Sequence, residues 1–337
     1  MKLPLKSFLI VFTVVLITTA INSCKKEEQE LTLTVITGNV SGITYHSAVC
    51  GVEWNGSDEN LAEGGVCYSK KPGPTLNDGV SRFDPDRKET PSGLWFGPLA
   101  PNTKYHVRAY LNIFTGSAVK TFYGQDIEFM TLEFDKTIKF NPSLTYGSVS
   151  DIEGNAYKTI QIGKQVWMAE NLRSTRLNDN TPIPKVTFPE TWSDIKTPGY
   201  NWCEEDSINF STTYGARYNW FTVYTGRLCP AGWHVPSDYE WETLVAFLGG
   251  PDVASTKLKE TGNIHWNSPN DGATNESGFT ALPCLNAGYF DGWWSTTRIN
   301  SYDPPVVWCY WIHNDLNRLN RSESNGSNGI NVRCLQN

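Results

Sequence analysis

LCPAGWHVPSDYEWETL, residues 228–244, crowds Cys229, two tryptophans, His234 and three acidic residues into one short run. Such a density of reactive groups reads at first as an active site. The spacing says otherwise. Ser237 and Glu240 stand three apart directly before an apolar pattern, the arrangement of a capping box, in which the serine oxygen takes one orphan N–H and the glutamate reaches back to another. Trp241, Leu244, Val245 and Leu248 follow the i, i+3, i+4, i+7 spacing of a buried helix face, and Gly249 and Gly250 supply a left-handed stop. Asp238, Glu240 and Glu242 are therefore helix N-terminal charges that favour the dipole. His234 lies between Trp233 and Val235 with no nucleophile at helical or strand spacing, which marks a hydrogen-bonded structural residue rather than a base.

Working outward, the region from residue 134 onward holds eleven of the thirteen tryptophans, with many glycines and asparagines between them. It opens with DIEGNAYKTIQIGKQVWMAENL, where a turn at Gly154 and Asn155 precedes short strands carrying Tyr157, Ile160, Ile162 and Val166.

Residues 31–133 read differently. Period-2 alternation is broken by turn signals such as WNGSDEN, KKPGPTLNDG and NIFTGSAVK, and no helical stretch intervenes, so a β-sandwich is expected. In LAPNTKYHVRAYLN, Leu99, Tyr105, Val107 and Ala109 point inward and His106, Arg108 and Tyr110 the other way. Pro101, Asn102 and Thr103 turn the chain so that Tyr105 can close a tyrosine corner. This pattern resembles a fibronectin type III domain, with Trp54 of SAVCGVEWNG where that family keeps a core tryptophan. The resemblance implies a spacer or a binding module. Cys50 and Cys67 fall on neighbouring predicted strands, either as a bridge or as two buried thiols.

The first 23 residues form a targeting segment: Lys2 and Lys6, an apolar stretch from Phe8 to Ala20, then Ile21, Asn22 and Ser23 before Cys24. The apolar run is short for a spanning helix. The segment resembles a bacterial lipoprotein signal, which implies lipidation of Cys24, a membrane partner through that anchor, and residues 24–30 as a tether. KKEEQE after Cys24 resembles the surface-export signal of Bacteroidetes lipoproteins, so an outer-membrane, outward-facing location is expected. Over 337 residues the formal net charge is −7, and no basic block follows residue 26, which argues against a nucleic-acid partner.

The motifs GNAYKTIQIGKQVWMAENLR, YGARYNWFTV, LCPAGWHVPSDYEWETL, KLKETGNIHWNSPNDGATNESGFTALP, WWSTT and INVRC occur in the order of the Fibrobacter succinogenes major paralogous domain, FISUMP. From about residue 145 to the end the chain resembles that family. The resemblance implies an α+β, C-type-lectin-like second domain over 134–337, related in outline to formylglycine-generating enzymes, and a surface-associated role. Cys229 and Cys334 match positions the family fills with cysteine, which implies a disulfide closing the domain. Cys284 and Cys309 depart from the family pattern together, which implies a bridge between them and leaves Cys203 as the odd thiol.

Three functional expectations follow. Trp293 and Trp294 with Tyr289 offer a stacking platform for sugar rings, although alternation along a strand buries one tryptophan and exposes the other. Asn270, Asp271, Asn275 and Glu276, with Asn267, are oxygen donors of the kind calcium prefers, and equally ordinary turn formers. SPND has serine where lectin calcium loops carry a carboxamide or carboxylate. No cofactor is expected otherwise. Catalysis is not expected: no Ser-His-Asp set, Walker loop or dinucleotide glycine pattern is present, and Cys284 and Cys309 are the only stand-ins for the reactive pair of formylglycine-type enzymes. The reading is a binding or adhesion module for a glycan or a surface or matrix protein. Its rival is a purely architectural stalk and cap.

Overall fold

A computed structural model describes residues 33–56, 60–83, 93–187, 192–193, 195–203, 207–270, 272–284 and 288–337. The targeting segment, Cys24 and the tether lie outside the described residues, as does Asp271. Among the described residues no helix is long and apolar enough to cross a membrane.

The N-terminal unit is a sandwich of two antiparallel sheets. One holds β1 (Thr34–Ser41), β2 (Ala48–Asn55) and β5 (Leu94–Phe96) in the order β1-β2-β5. The other holds β3 (Leu61–Ser69), β4 (Gly79–Phe83), β6 (Lys104–Thr115) and β7 (Ala118–Tyr123) in the order β4-β3-β6-β7, and β8 (Ile127–Met130) also pairs with β6. Val35, Val52, Val66, Phe96, Val107, Ala109 and Leu111 fill the space between them. The corner forms as the sequence implies: Tyr105 Oη accepts the Ala100 N–H at 3.0 Å. His106 and Tyr110 do face away from this core, yet both are buried. Their face of the sheet is not open to water, because Tyr110 donates to Glu63 at 2.6 Å and His106 meets Asp126 at 3.2 Å.

Cys50 and Cys67 are both free and buried. Their strands are consecutive in sequence but lie in opposite sheets. Cys50 belongs to the core, whereas Cys67, next to the core residue Val66, points to the opposite face, where its thiol approaches Pro74 O at 3.2 Å. No bridge between them is geometrically available.

The C-terminal unit has two sheets. The first orders β9 (Gly147–Ser150), β10 (Ala156–Ile162), β11 (Gln165–Met168), β14 (Trp233–His234) and β19 (Leu335–Gln336) as β14-β19-β11-β10-β9. The second orders β12 (Tyr200–Trp202), β13 (Ala216–Tyr218), β15 (Phe290–Arg298), β16 (Val306–His313), β17 (Asn320–Asn325) and β18 (Ile330–Asn331) as β12-β13-β18-β15-β16-β17. Helices α1 (Ser207–Tyr214), α2 (Trp220–Tyr224), α3 (Asp238–Phe247) and α4 (Pro251–Leu258) complete it.

Both faces of the central strand β15 are covered over residues 291–295. One core gathers Tyr157, Met168, Trp220, Trp294, Cys309 and Val332; a second gathers Ile160, Trp167, Trp241, Leu258, Trp293 and Tyr310. Trp241 of α3 wedges between the sheets, 4.8 Å from the Trp167 ring and 4.9 Å from Tyr310. The beginning and end of the unit meet where Trp167 pairs with Leu335.

Cys229 and Cys334 form a disulfide across 105 positions. In the chain-entropy picture a loop of this size contributes about 4–5 kcal/mol. The second disulfide corrects the family-based expectation: Cys284 joins Cys203, not Cys309. Cys309 sits in mid-strand inside the first core, while Cys284 lies with Cys203, Phe210, Tyr214 and Leu282 in a separate cluster that reaches Tyr45 of the sandwich. Cys309 is a free thiol that burial pushes up to about 12, with Trp311 Nε1 directed at its sulfur.

The two units are joined without slack. Phe134 packs at 4.7 Å from Tyr45, 4.8 Å from Phe210 and 5.7 Å from His265, and the Tyr45 and Tyr214 hydroxyls are hydrogen-bonded.

Candidate ligand-binding surface

Helix α3 positions the surface. Ser237 accepts the Glu240 N–H, and Glu240 takes the Ser237 N–H at 2.7 Å, so the capping box is complete. The same carboxylate meets His234 Nε2 at 2.9 Å, and His234 Nδ1 meets Asn337 at 2.7 Å. Burial alone would raise the Glu240 pKa, but the bonds from Ser237 and His234 outweigh it and hold it low. His234 is thus spent on locking the helix start to the chain's last residue.

With Trp241, Leu244 and Leu248 inward, the outer face of α3 carries Tyr239, Thr243 and Phe247 at successive helical turns. Tyr239 is 76% and Phe247 64% exposed. Phe247 lies against the β10–β11 turn at Gly163, where φ is +63° and a β-carbon would come within 2.9 Å of the ring, so only glycine fits. Between this turn and the helix runs an open groove. One segment, of 720 Å³, is lined by Gln161, Lys164, Gln165, Thr243 and Phe247. An adjoining one, of 360 Å³, shares Gln161, Ile162, Gly163 and Phe247 with it and ends at Lys257, Glu276 and Ser277.

The expected platform is not assembled. Trp293 and Trp294 alternate along β15 as foreseen, but a core covers each face and both rings are fully buried. Trp293 Nε1 donates to Asn171 at 2.9 Å and Trp294 Nε1 to Tyr218 O at 2.7 Å, so their polar edges are consumed as well. Tyr289 is half-buried at the junction, edge-on to Trp95 of the sandwich at 6.0 Å.

The described oxygen donors of the 267–276 loop serve other partners. Asn275, at φ +47°, accepts the Thr280 N–H at 2.9 Å, and Glu276 pairs with Lys257 at 2.8 Å. Asn270 donates to Glu260 O and Gly262 O, both at 2.8 Å, and its buried Oδ1 takes no hydrogen bond among the described residues.

Sequence reasoning missed three charge assemblies, two of them fully buried. Asp291 accepts from Gly292 N, Asn171 and Asn331, and Asn171 Oδ1 in turn receives Arg333 Nε at 2.8 Å. Arg333, 1% exposed, also donates to Phe279 O and Thr280 O, with Phe279 and Trp293 rings against its guanidinium. Burial pushes the Asp291 carboxyl above the usual carboxylate range, against the pull of these donors, and draws the Arg333 guanidinium below its usual value. Glu260 holds His265 Nδ1 at 2.6 Å and the Lys139 N–H at 2.6 Å, while His265 Nε2 reaches Asp135 O at 2.7 Å. Asp238 is gripped by Arg321 through both oxygens, at 2.7 and 2.6 Å, and by Tyr310 at 2.7 Å. The signal for the first lay in INVRC, where Asn331 and Arg333 alternate with the apolar Ile330, Val332 and Cys334. The other two pairings join residues with no shared local pattern. Among the described residues no group of three His, Cys, Asp or Glu is placed to hold a metal.

No curated protein matches the chain. Among solved structures, the fibronectin type III domain of human fibronectin type III domain containing protein 3 aligns at 12% identity and a TM-score of 0.22, covering 30% of this chain and 85% of that one. The sensor domain of the anti-sigma factor RsgI4 of Pseudobacteroides cellulosolvens aligns at 16% identity and a TM-score of 0.23, covering 36% and 92%. The family model described as Fibrobacter succinogenes major domain matches residues 160–336. That span takes in both C-terminal sheets from the middle of β10, all four helices, the groove and both disulfides, and the chain belongs to the Fibrobacter succinogenes major domain family.

Proposed function

We propose that the chain is a lipid-anchored outer-membrane protein, facing outward, whose C-type-lectin-like second domain binds a glycan or a surface or matrix protein without transforming it. The fibronectin type III-like sandwich is its spacer. The observation that carries this reading is the open groove beside α3, which presents the exposed Phe247 ring of that helix next to the β10–β11 turn. The pairing of β11, near the start of the unit, with its last strand β19, next to Cys334 of the Cys229–Cys334 bridge, supports the lectin-like reading. The non-catalytic part is supported by the fate of the reactive groups: Cys284 is bridged, Cys309 is a buried thiol pushed up to about 12, and His234 and His265 are bonded at both ring nitrogens.

The test is a glycan-array and matrix-protein screen with the full chain, in calcium and again in chelator. A saturable hit supports the binding reading, and loss of that hit in chelator restores calcium to it. The architectural alternative is favoured by one observation, the closely packed junction around Phe134. It gains if the screen is blank in both conditions and the chain purifies with a stable partner. For the anchor, labelling with a fatty-acid analogue is expected in the native chain and absent in Cys24→Ser; equal labelling of both refutes it.

A further inference from the structure

Resting on the binding reading, we infer that the groove between the β10–β11 turn and α3 is a subsite for a carboxylated pyranose, a sugar ring bearing an acidic group. Three features define what fits. The first is a flat apolar surface: Phe247 is 64% exposed, and its ring rests on the turn at Gly163. A pyranose presents just such a flat C–H face, whereas an aliphatic side chain is served best by an enclosed pocket that surrounds it.

The second feature is the polar rim. Gln161 and Thr243 line the same segment as Phe247, and Ser277 lines the adjoining one. Gln161 Nε2 is tied to Gly163 O at 3.2 Å, and its Oε1 takes no hydrogen bond among the described residues, leaving an acceptor for a sugar hydroxyl. Gln165 is held rigid, donating to Glu240 O at 3.0 Å and accepting from Trp167 Nε1 at 3.3 Å. Amides and hydroxyls around one exposed ring match a ligand that is apolar on its face and hydroxylated at its edge.

The third feature sets the charge. The larger segment is lined by a single ionisable side chain, Lys164, which has no ion-pair partner among the described residues. In the adjoining segment Lys257 and Glu276 neutralise each other at 2.8 Å. The groove lining therefore carries one net positive charge, and the complementary ligand carries a carboxylate.

The experiment is calorimetric titration of the full chain with a glucuronic-acid-containing oligosaccharide and with its neutral glucose counterpart of equal length. Binding of the acidic sugar is expected, weakened at least tenfold by Phe247→Ala. Lys164→Gln is expected to weaken the acidic sugar about fivefold, leave the neutral one unchanged, and flatten the salt dependence. Both side chains are at the surface, and an unchanged circular dichroism spectrum controls for folding. If the array yields a ligand whose affinity neither substitution alters, the groove assignment is wrong while the binding reading stands. If an apolar peptide binds in the groove and the acidic sugar does not, the sugar assignment falls. If nothing binds the native chain in any format, both fall together.

Discussion

Arg333 shows how much of this domain rests on single side chains. Its guanidinium is sealed between Phe279 and Trp293 and answers two loop carbonyls and Asn171. Arg333→Met leaves those acceptors without donors and Asp291 without its counter-charge, so a loss of about 3–5 kcal/mol is expected in urea denaturation; a loss below 1 kcal/mol refutes the role. Asp238 gives the pH dependence. Burial would raise its pKa, but the bonds from Arg321 and Tyr310 outweigh that and the net shift is downward. A carboxyl held low when folded stabilises above its unfolded value near 3.9, and that stability is lost as pH falls through the folded value. Arg321→Gln is therefore expected to be less stable than the native chain at pH 7, the gap closing below about pH 4. A gap independent of pH refutes the pairing. Neither residue was legible as a buried charge, because Asp238 reads locally as a dipole charge and its partner lies 83 positions away.

Among the elements, α3 was the most legible, since its cap, inner face and glycine stop are all written within fifteen residues. Ser237→Ala is expected to cost about 0.5–2 kcal/mol by thermal denaturation, as for other N-cap removals. No measurable change would mean that His234 and Asn337 hold the helix start without the cap. The tyrosine corner and the Gly154 turn were legible for the same reason: their determinants are local. The fate of Trp293 and Trp294 was not. Alternation places neighbouring side chains on opposite faces, but whether the second face is wet depends on what packs there, and that layer comes from α2, α3 and the other sheet. The cysteines fail in a similar way. The two thiols that depart from the family pattern do not pair: Cys309 is committed to the core beside Trp294, and Cys284 meets Cys203 in the cluster with Phe210, Tyr214 and Leu282 at the junction. The groove itself left only a faint trace, an exposed phenylalanine at the last turn of an amphipathic helix.

In the whole molecule, the linker is the decisive segment. Asp135 O, the Lys139 N–H and Lys136 O are all bonded into the second unit, through His265, Glu260 and Thr213. The sequence gives this stretch no special mark. Its order comes from an internal Glu260–His265 pair whose side chains are both fully buried. Calorimetry is expected to show the two units unfolding in one transition. His265→Ala is expected to split that transition and to open the 134–140 stretch to limited proteolysis. Two transitions in the native chain would show that the junction does not couple them.

The same fastening governs how a pull would travel. A load applied to the second unit and resisted by the sandwich crosses the Phe134 cluster and the bonds to Asp135, Lys136 and Lys139 together, beside the Trp95–Tyr289 contact. These lie in parallel along one short path, so they share the force and yield as a set. Such a junction hands on tension and direction where a slack tether would absorb both.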